Sequence, residues 1–173
     1  MEVGHAVRVG GGGRRAAGAA RTGRGEHRLS GFCRRSSSLA MTTTVARGSC
    51  LCGAVRFRAE LPSRWVSHCH CSYCRRAHGA PFVTWASFPN EQFFLEPGSD
   101  SPTWYESSAG AKRGFCGVCG SPMLFQSRSW PGEMHVARAL FVDPLDREPD
   151  EHAFYESRVP WLDVNDELPK KFS

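Results

Sequence analysis

Seven cysteines fall into three tight groups: Cys50-Leu51-Cys52-Gly53, Cys69-His70-Cys71-Ser72-Tyr73-Cys74 and Cys116-Gly117-Val118-Cys119-Gly120. The last is a zinc-knuckle pattern. Its two-residue spacing lets both thiolates converge on one ion, and the glycine permits the tight turn that aims backbone N–H groups at sulfur. One knuckle supplies two ligands, whereas a structural tetrahedral site needs four. Cys50 and Cys52, which also run into a glycine at the entry to a predicted strand, are the natural second pair. Joining the pairs closes a loop of about sixty residues, a cost that grows only slowly with length. A structural Zn²⁺ contributes ~10–16 kcal/mol of apparent binding free energy. The expectation is a closed site of Cys50, Cys52, Cys116 and Cys119 that staples two ends of the core.

The middle group places three thiols in six residues, enough for Cys69, Cys71 and Cys74 to wrap one face of an ion. No fourth cysteine stands at ligand spacing. His68, His70 or His78 could complete the shell; the preferred reading leaves the fourth position open for water or substrate, as in a reactive zinc site. Three thiolates around Zn²⁺ make a weak Lewis acid, better suited to holding an incoming thiol as thiolate. Cys69, Cys71 and Cys74 are therefore the candidate catalytic residues. Arg75 and Arg76 follow directly and could bind an anionic substrate, or simply be solvated. Sulfur-only ligation also fits an iron–sulfur centre, and spacing leaves that alternative open. Disulfides fit less well: Cys-x-Cys side chains on an extended backbone bridge poorly, no apolar signal-peptide core stands at the N-terminus, and clustered thiols in a reducing compartment are metal ligands.

The elements that must position these groups are short strands. Alternation or β-formers predict strands at Ala54–Glu60, Phe82–Phe88, Met123–Gln126, Met134–Leu140 and Ala153–Ser157, separated by turn signals such as Pro97-Gly98-Ser99-Asp100, Pro131-Gly132 and Asp143-Pro144. One short helix is predicted around Cys71–His78. Residues 45–173 read as a mainly β zinc-binding domain. Residues 1–44 differ: they carry eight Arg against Glu2 and Glu26, a charge of +6, while residues 45–173 carry −1. Residues 1–40 hold half of the 18 glycines and show no hydrophobic periodicity. They are expected to be a disordered basic Gly/Arg-rich tail or an over-extended N-terminus before Met41, with organelle targeting a weaker option. The basicity belongs to that tail, so a nucleic-acid partner is not expected. No stretch reaches the ~18 apolar residues of a membrane span, and a cytoplasmic location is the default.

The motifs "GSCLCGAVRF", "HCHCSYCRRAHGAPF", "GFCGVCGSPMLF" and "HAFYESRVPWLDVNDELPKKF" give the chain a resemblance to the glutathione-dependent formaldehyde-activating enzyme family, which includes the centromere protein V type domain. The resemblance covers about residues 45–172. It implies an Mss-four-like fold of twisted antiparallel sheets with zinc knuckles. It also implies two zinc ions per chain, a structural one at Cys50, Cys52, Cys116 and Cys119 and a catalytic one at Cys69, Cys71 and Cys74, the partition reached from spacing. The implied activity is that of a carbon–sulfur lyase joining glutathione and formaldehyde into S-hydroxymethylglutathione. The alternative is a non-catalytic zinc module that binds protein or chromatin, as the centromere-protein resemblance suggests.

Other residues carry plainer expectations. His70 lies between two ligands and should point away from the ion. His135 and His152 read as ordinary strand residues. Trp161 is expected to anchor the C-terminal segment on the core, and Asp163, Asp166 and Glu167 to form a solvated acidic turn.

Overall fold

The computed structural model describes residues 44–172. The tail reading, its targeting option and Cys33 lie outside the described residues, apart from Thr44. The described chain is mainly β, with two sheets. The smaller is β1 (Val45–Ser49), β2 (Arg56–Glu60) and β5 (Phe93–Leu95), in the order β1-β2-β5. The larger has seven strands: β3 (Trp65–Cys69), β4 (Val83–Pro89), β6 (Thr103–Ser108), β7 (Ala111–Phe115), β8 (Pro122–Ser127), β9 (Glu133–Ala137) and β10 (His152–Ala153). Their order is β10-β3-β4-β9-β8-β7-β6, antiparallel except where β10 pairs parallel with β3. The single α-helix among the described residues, α1 (Ser72–His78), follows β3.

The principal core joins the two sheets. Val55, Phe57 and Ala59 from around β2 pack with Val66, Ala86, Phe88, Met123, Leu124 and Val136 of the larger sheet, and buried Cys50 and Cys116 belong to the same cluster. Gly48 on β1 makes this possible: a Cβ there would stand 2.6 Å from the Leu140 carbonyl oxygen and would collide with the Phe57 ring. A second cluster forms on the other face of the larger sheet, around Cys69, Cys74, Val83, Trp85 and Ala137. Burial of β4 on both faces explains its near-continuous apolar run.

Cross-strand register decides what shares that second face. Cys69 stands opposite Val83, Trp85 opposite Ala137, His135 opposite Phe125, and Phe125 opposite Arg113. Directly paired residues point to the same side of a sheet. Five strands therefore deliver Cys69, Trp85, His135, Phe125 and Arg113 to one surface.

Two expected strands end early. The stretch expected at Met134–Leu140 turns into a 3-10 helix at Arg138–Leu140. The one expected at Ala153–Ser157 keeps only Ala153 in β10, because Phe154 takes the left-handed conformation (φ 56°) and a 3-10 helix follows at Tyr155–Ser157. That conformation costs a non-glycine residue about 1–2 kcal/mol. Backbone bonds hold it in place from both sides: His70 N–H donates to Ala153 O (2.9 Å) and Tyr155 N–H to Lys171 O (2.9 Å). Trp161 does not anchor the C-terminal segment, being 71% exposed. The segment is held instead by backbone bonds, His152 N–H to Pro169 O (2.8 Å) and Lys171 N–H to His152 O (2.7 Å), which place it alongside β10.

Candidate metal centres and active site

Cys50 and Cys52 lie in the β1–β2 connection, and Cys116 and Cys119 in the β7–β8 turn. The four Sγ atoms all fall within 4.8 Å of one another. Cys50 Sγ is 3.5 Å from Cys52 Sγ, and Cys52 Sγ is 3.9 Å from Cys116 Sγ. Sulfurs at ~2.3 Å from a tetrahedral zinc are separated by about 3.8 Å, so this spacing is that of a ligand shell; all seven described cysteines are free thiols. The turns are built for it. Gly53 (φ 76°) and Gly120 (φ 74°) take the left-handed conformation that closes each knuckle. Val55 N–H donates to Cys50 Sγ (3.3 Å). Ser121 links the two knuckles, accepting from Leu51 N–H (3.1 Å) and lying 3.2 Å from Cys119 Sγ. The Ser121 hydroxyl and backbone N–H bring the Cys119 thiol down to about 5.

The second group gathers at the β3–α1 junction. Cys69 ends β3, Cys71 caps α1, and Cys74 stands in its first turn. Cys74 N–H donates to Cys71 Sγ (3.3 Å), and Cys69 and Cys74 Sγ are 3.6 Å apart. All three sulfurs fall within 4.8 Å of one another, with no histidine nitrogen in the group. Hydrogen bonds from the Cys69 and Cys74 thiols draw Cys71 down to about 2, while those same contacts and burial push Cys69 up. The donor chemistry of the group suits a soft or borderline metal such as zinc.

The trio, unlike the quartet, lines a cavity of about 580 Å³. Its walls include Trp65, Trp85, Phe125, Trp130 and Phe154, with His135 and Arg113 among the polar groups. Arg113 is the cation at the trio: Nη2 lies 3.6 Å from Cys74 Sγ, the guanidinium rests 4.8 Å above the Phe125 ring, and buried Nη1 has no partner among the described residues. Arg75 and Arg76 are placed otherwise. Arg75 Nε donates to His70 O (3.1 Å), Arg76 Nε to Ser72 O (3.3 Å), and neither lines this cavity.

The sequence matches the family described as "Glutathione-dependent formaldehyde-activating enzyme" over residues 45–157. The chain belongs to this family. A Halomonas elongata protein provisionally named as such an enzyme is 27% identical over 127 residues, which span 69% of this chain and 81% of that protein. A protein of Schizosaccharomyces pombe described as an uncharacterized lyase is 33% identical over 78 residues, 45% of this chain and 55% of its own length. A crystal structure of a Rhodobacter sphaeroides protein aligns with a TM-score of 0.48 at 27% identity, covering 72% of this chain and 99% of that one.

In this family member, two features of the site were not legible in the linear pattern. Arg113 lies in a Lys-Arg-Gly stretch with no strand signal, and only the β7–β8 register brings it to the trio. Behind the trio runs a polar chain, buried at His70 and His152 and ending on exposed Asp166: His70 Nε2 to His152 Nδ1 (2.8 Å) and His152 Nε2 to Asp166 (2.9 Å). His70 therefore points away from the trio, as expected; His152 lies in β10, as a strand residue, but fully buried and bonded at both ring nitrogens, and Asp166 is solvent-exposed, as expected, yet also bonds His152. His68, His152 and Asp166 also bring ligand atoms within 4.8 Å of one another. Both ring nitrogens of His152 are engaged, and His68 Nδ1 is held by Thr84 Oγ1 (2.8 Å), so the group is best described as a hydrogen-bonded brace.

Proposed function

We propose that the chain is a zinc-dependent enzyme that makes or breaks the carbon–sulfur bond of a thiol–carbonyl adduct, of the glutathione and formaldehyde type. In this reading Cys50, Cys52, Cys116 and Cys119 hold a structural zinc, and Cys69, Cys71 and Cys74 a catalytic one. The observation that carries it is the inequality of the two groups: four thiols tie the sheets together, whereas three thiols line a cavity. Family membership and the enzyme and lyase names of its relatives support the same reading. The intact thiols suit a reducing compartment such as the cytoplasm, and no helix of the described residues is long and apolar enough to cross a membrane.

Cys69, Cys71 and Cys74 would hold a zinc ion, which would supply a binding position that favours the thiolate of an incoming substrate thiol. The chain's own residues do the rest. The substrate sulfur adds to a carbonyl carbon, and the thiol proton finishes on the carbonyl oxygen. Arg113 places positive charge beside Cys74 Sγ, stabilising thiolate there, and it lines the cavity, where its guanidinium can donate to a substrate oxygen. We assign the substrate-contacting role to Arg113 in preference to Arg75 or Arg76. His135 is the proton carrier: burial keeps it neutral, and Glu133, a carboxylate 3.1 Å from Nε2, fixes the proton there and leaves Nδ1 as acceptor.

Exchange NMR of glutathione with formaldehyde, comparing zinc-loaded wild type with Cys74→Ser, tests this. Wild type should exceed the uncatalysed rate and the variant should not. Equal rates at background would instead favour a non-catalytic zinc-binding module.

A further inference from the structure

The cavity beside the trio is far larger and more apolar than a one-carbon carbonyl requires. Formaldehyde occupies roughly the space of two water molecules, about 60 Å³, against a cavity of about 580 Å³. That volume falls within the ~300–1,000 Å³ of sites that enclose whole organic ligands. Three indoles, Trp65, Trp85 and Trp130, and two phenyl rings, Phe125 and Phe154, face it. Phe154 does so from a left-handed backbone conformation clamped on both sides, and strain of this kind gathers where a side chain must be aimed. The rings also brace one another: Trp130 lies 6.1 Å from Phe125, and Trp85 6.0 Å from Phe125.

Charge argues against a peptide filling this space. Glutathione carries two carboxylates and an ammonium group, three charges that mostly apolar walls would have to desolvate. The charged side chains on the wall are Arg113, Asp150 and Glu151. The one arginine stands at the Cys74 end, beside the reacting atoms; Glu151 is paired with Lys171 (3.0 Å), and exposed Asp150 would repel a carboxylate. The cavity is complementary to an uncharged aromatic or alkyl group attached to the reacting carbon.

Resting on the thiol–carbonyl reading above, we propose that this enzyme acts on adducts of aldehydes bearing an aromatic or extended apolar group, and that the five-ring cavity holds that group. The bond made or broken is still sulfur to carbonyl carbon, with the thiol proton passing to the carbonyl oxygen, so no further reactant is needed. The thiol's polar remainder lies toward the mouth, in solvent.

The test compares 3-phenylpropanal with formaldehyde, glutathione being the thiol in both cases, by exchange NMR on the zinc-loaded full chain. The larger aldehyde should give a kcat/KM at least about tenfold higher, the gain expected from burying a phenyl group. Trp130→Ala, in the β8–β9 turn, should reduce that ratio toward one. Binding provides a readout independent of turnover: by calorimetry, S-(3-phenylpropyl)glutathione should bind wild type at least about tenfold more tightly than S-methylglutathione. The wild-type binding comparison decides the matter even if the variant fails to fold. A ratio below tenfold in both experiments, or a ratio unmoved in folded Trp130→Ala, overturns the inference. If formaldehyde alone is accelerated, only this inference falls. If neither aldehyde is, the underlying thiol–carbonyl reading falls with it.

Discussion

Replacing Cys116 with serine should cost the protein most of its stability, whereas the same change at Cys74 should not. The difference follows from where each thiol stands. Cys116 is fully buried in the core that joins the sheets, and its group ties the β1–β2 connection to the β7–β8 turn across 64 residues from Cys52. Closing a loop of that length costs about 4 kcal/mol, and a structural zinc contributes ~10–16 kcal/mol. A serine in the quartet forfeits at least a third of that, roughly 3–5 kcal/mol, comparable to a large part of the ~5–15 kcal/mol that holds a domain together. For a domain of this size the midpoint should fall by roughly 10–20 °C. Cys74→Ser leaves the quartet intact and swaps one small buried group for another, so its midpoint should stay within about 5 °C. Calorimetry reads both effects, and zinc counting by mass spectrometry should show weakened retention at the altered site in each variant. Equal thermal shifts, or an unchanged midpoint in Cys116→Ser, would refute the division into a structural and a reactive group.

Further expectations concern the surroundings of the trio and the fold. Arg113→Met keeps the alkyl stem over Phe125 and removes the charge; exchange activity should drop about 10–100-fold, the worth of a hydrogen bond to a charged group. Asp166→Asn loosens the brace behind His70 and should weaken the second zinc about 10–100-fold in chelator competition while leaving the first untouched. Burial, with Arg113 nearby, lowers His78 to about 4. The unfolded chain therefore binds a proton that the folded chain refuses between about pH 6.5 and 4, and stability falls as pH falls through that window. In urea melts at pH 7 and pH 5, His78→Gln should remove about 2 kcal/mol of that pH dependence. Gly48→Ala should destabilise by about 1–3 kcal/mol or more, because Phe57 and the Leu140 carbonyl leave no room for a methyl group; an unchanged urea midpoint would contradict the packing described for β1.

The division of the cysteines could be read along the chain because metal-ligand chemistry is local: Cys-x-x-Cys-Gly and Cys-x-Cys-x-x-Cys announce themselves within six residues. The helix over α1 and the strands β2, β4 and β8 were legible for a similar reason, each carrying its own periodicity or β-formers. The strands at Thr103–Ser108 and Ala111–Phe115 were not. Thr103-Trp104-Tyr105 does carry β-formers, but the run is short and passes into Glu106-Ser107-Ser108, and Ala111–Phe115 centres on Lys112-Arg113-Gly114; both lie near the sheet edge and gain much of their order from pairing. Arg113 was lost with them, since only register reveals which side of a strand faces the trio. Arg75 and Arg76 attracted attention by adjacency, but a helix turns consecutive residues to different directions, and neither reaches the cavity. Likewise His152 and Asp166 lie about eighty and ninety-five residues beyond His70, too far for any spacing rule to join.

The account turns on one site that is full and another that can accept a substrate sulfur. X-ray absorption at the zinc edge, on the two-zinc protein with and without added thiol, addresses this directly. A closed four-sulfur site and a three-sulfur site average about 3.5 sulfurs per zinc, and saturating thiol should raise that average to about 4. An average of four before thiol is added, or no change on adding it, would contradict the account.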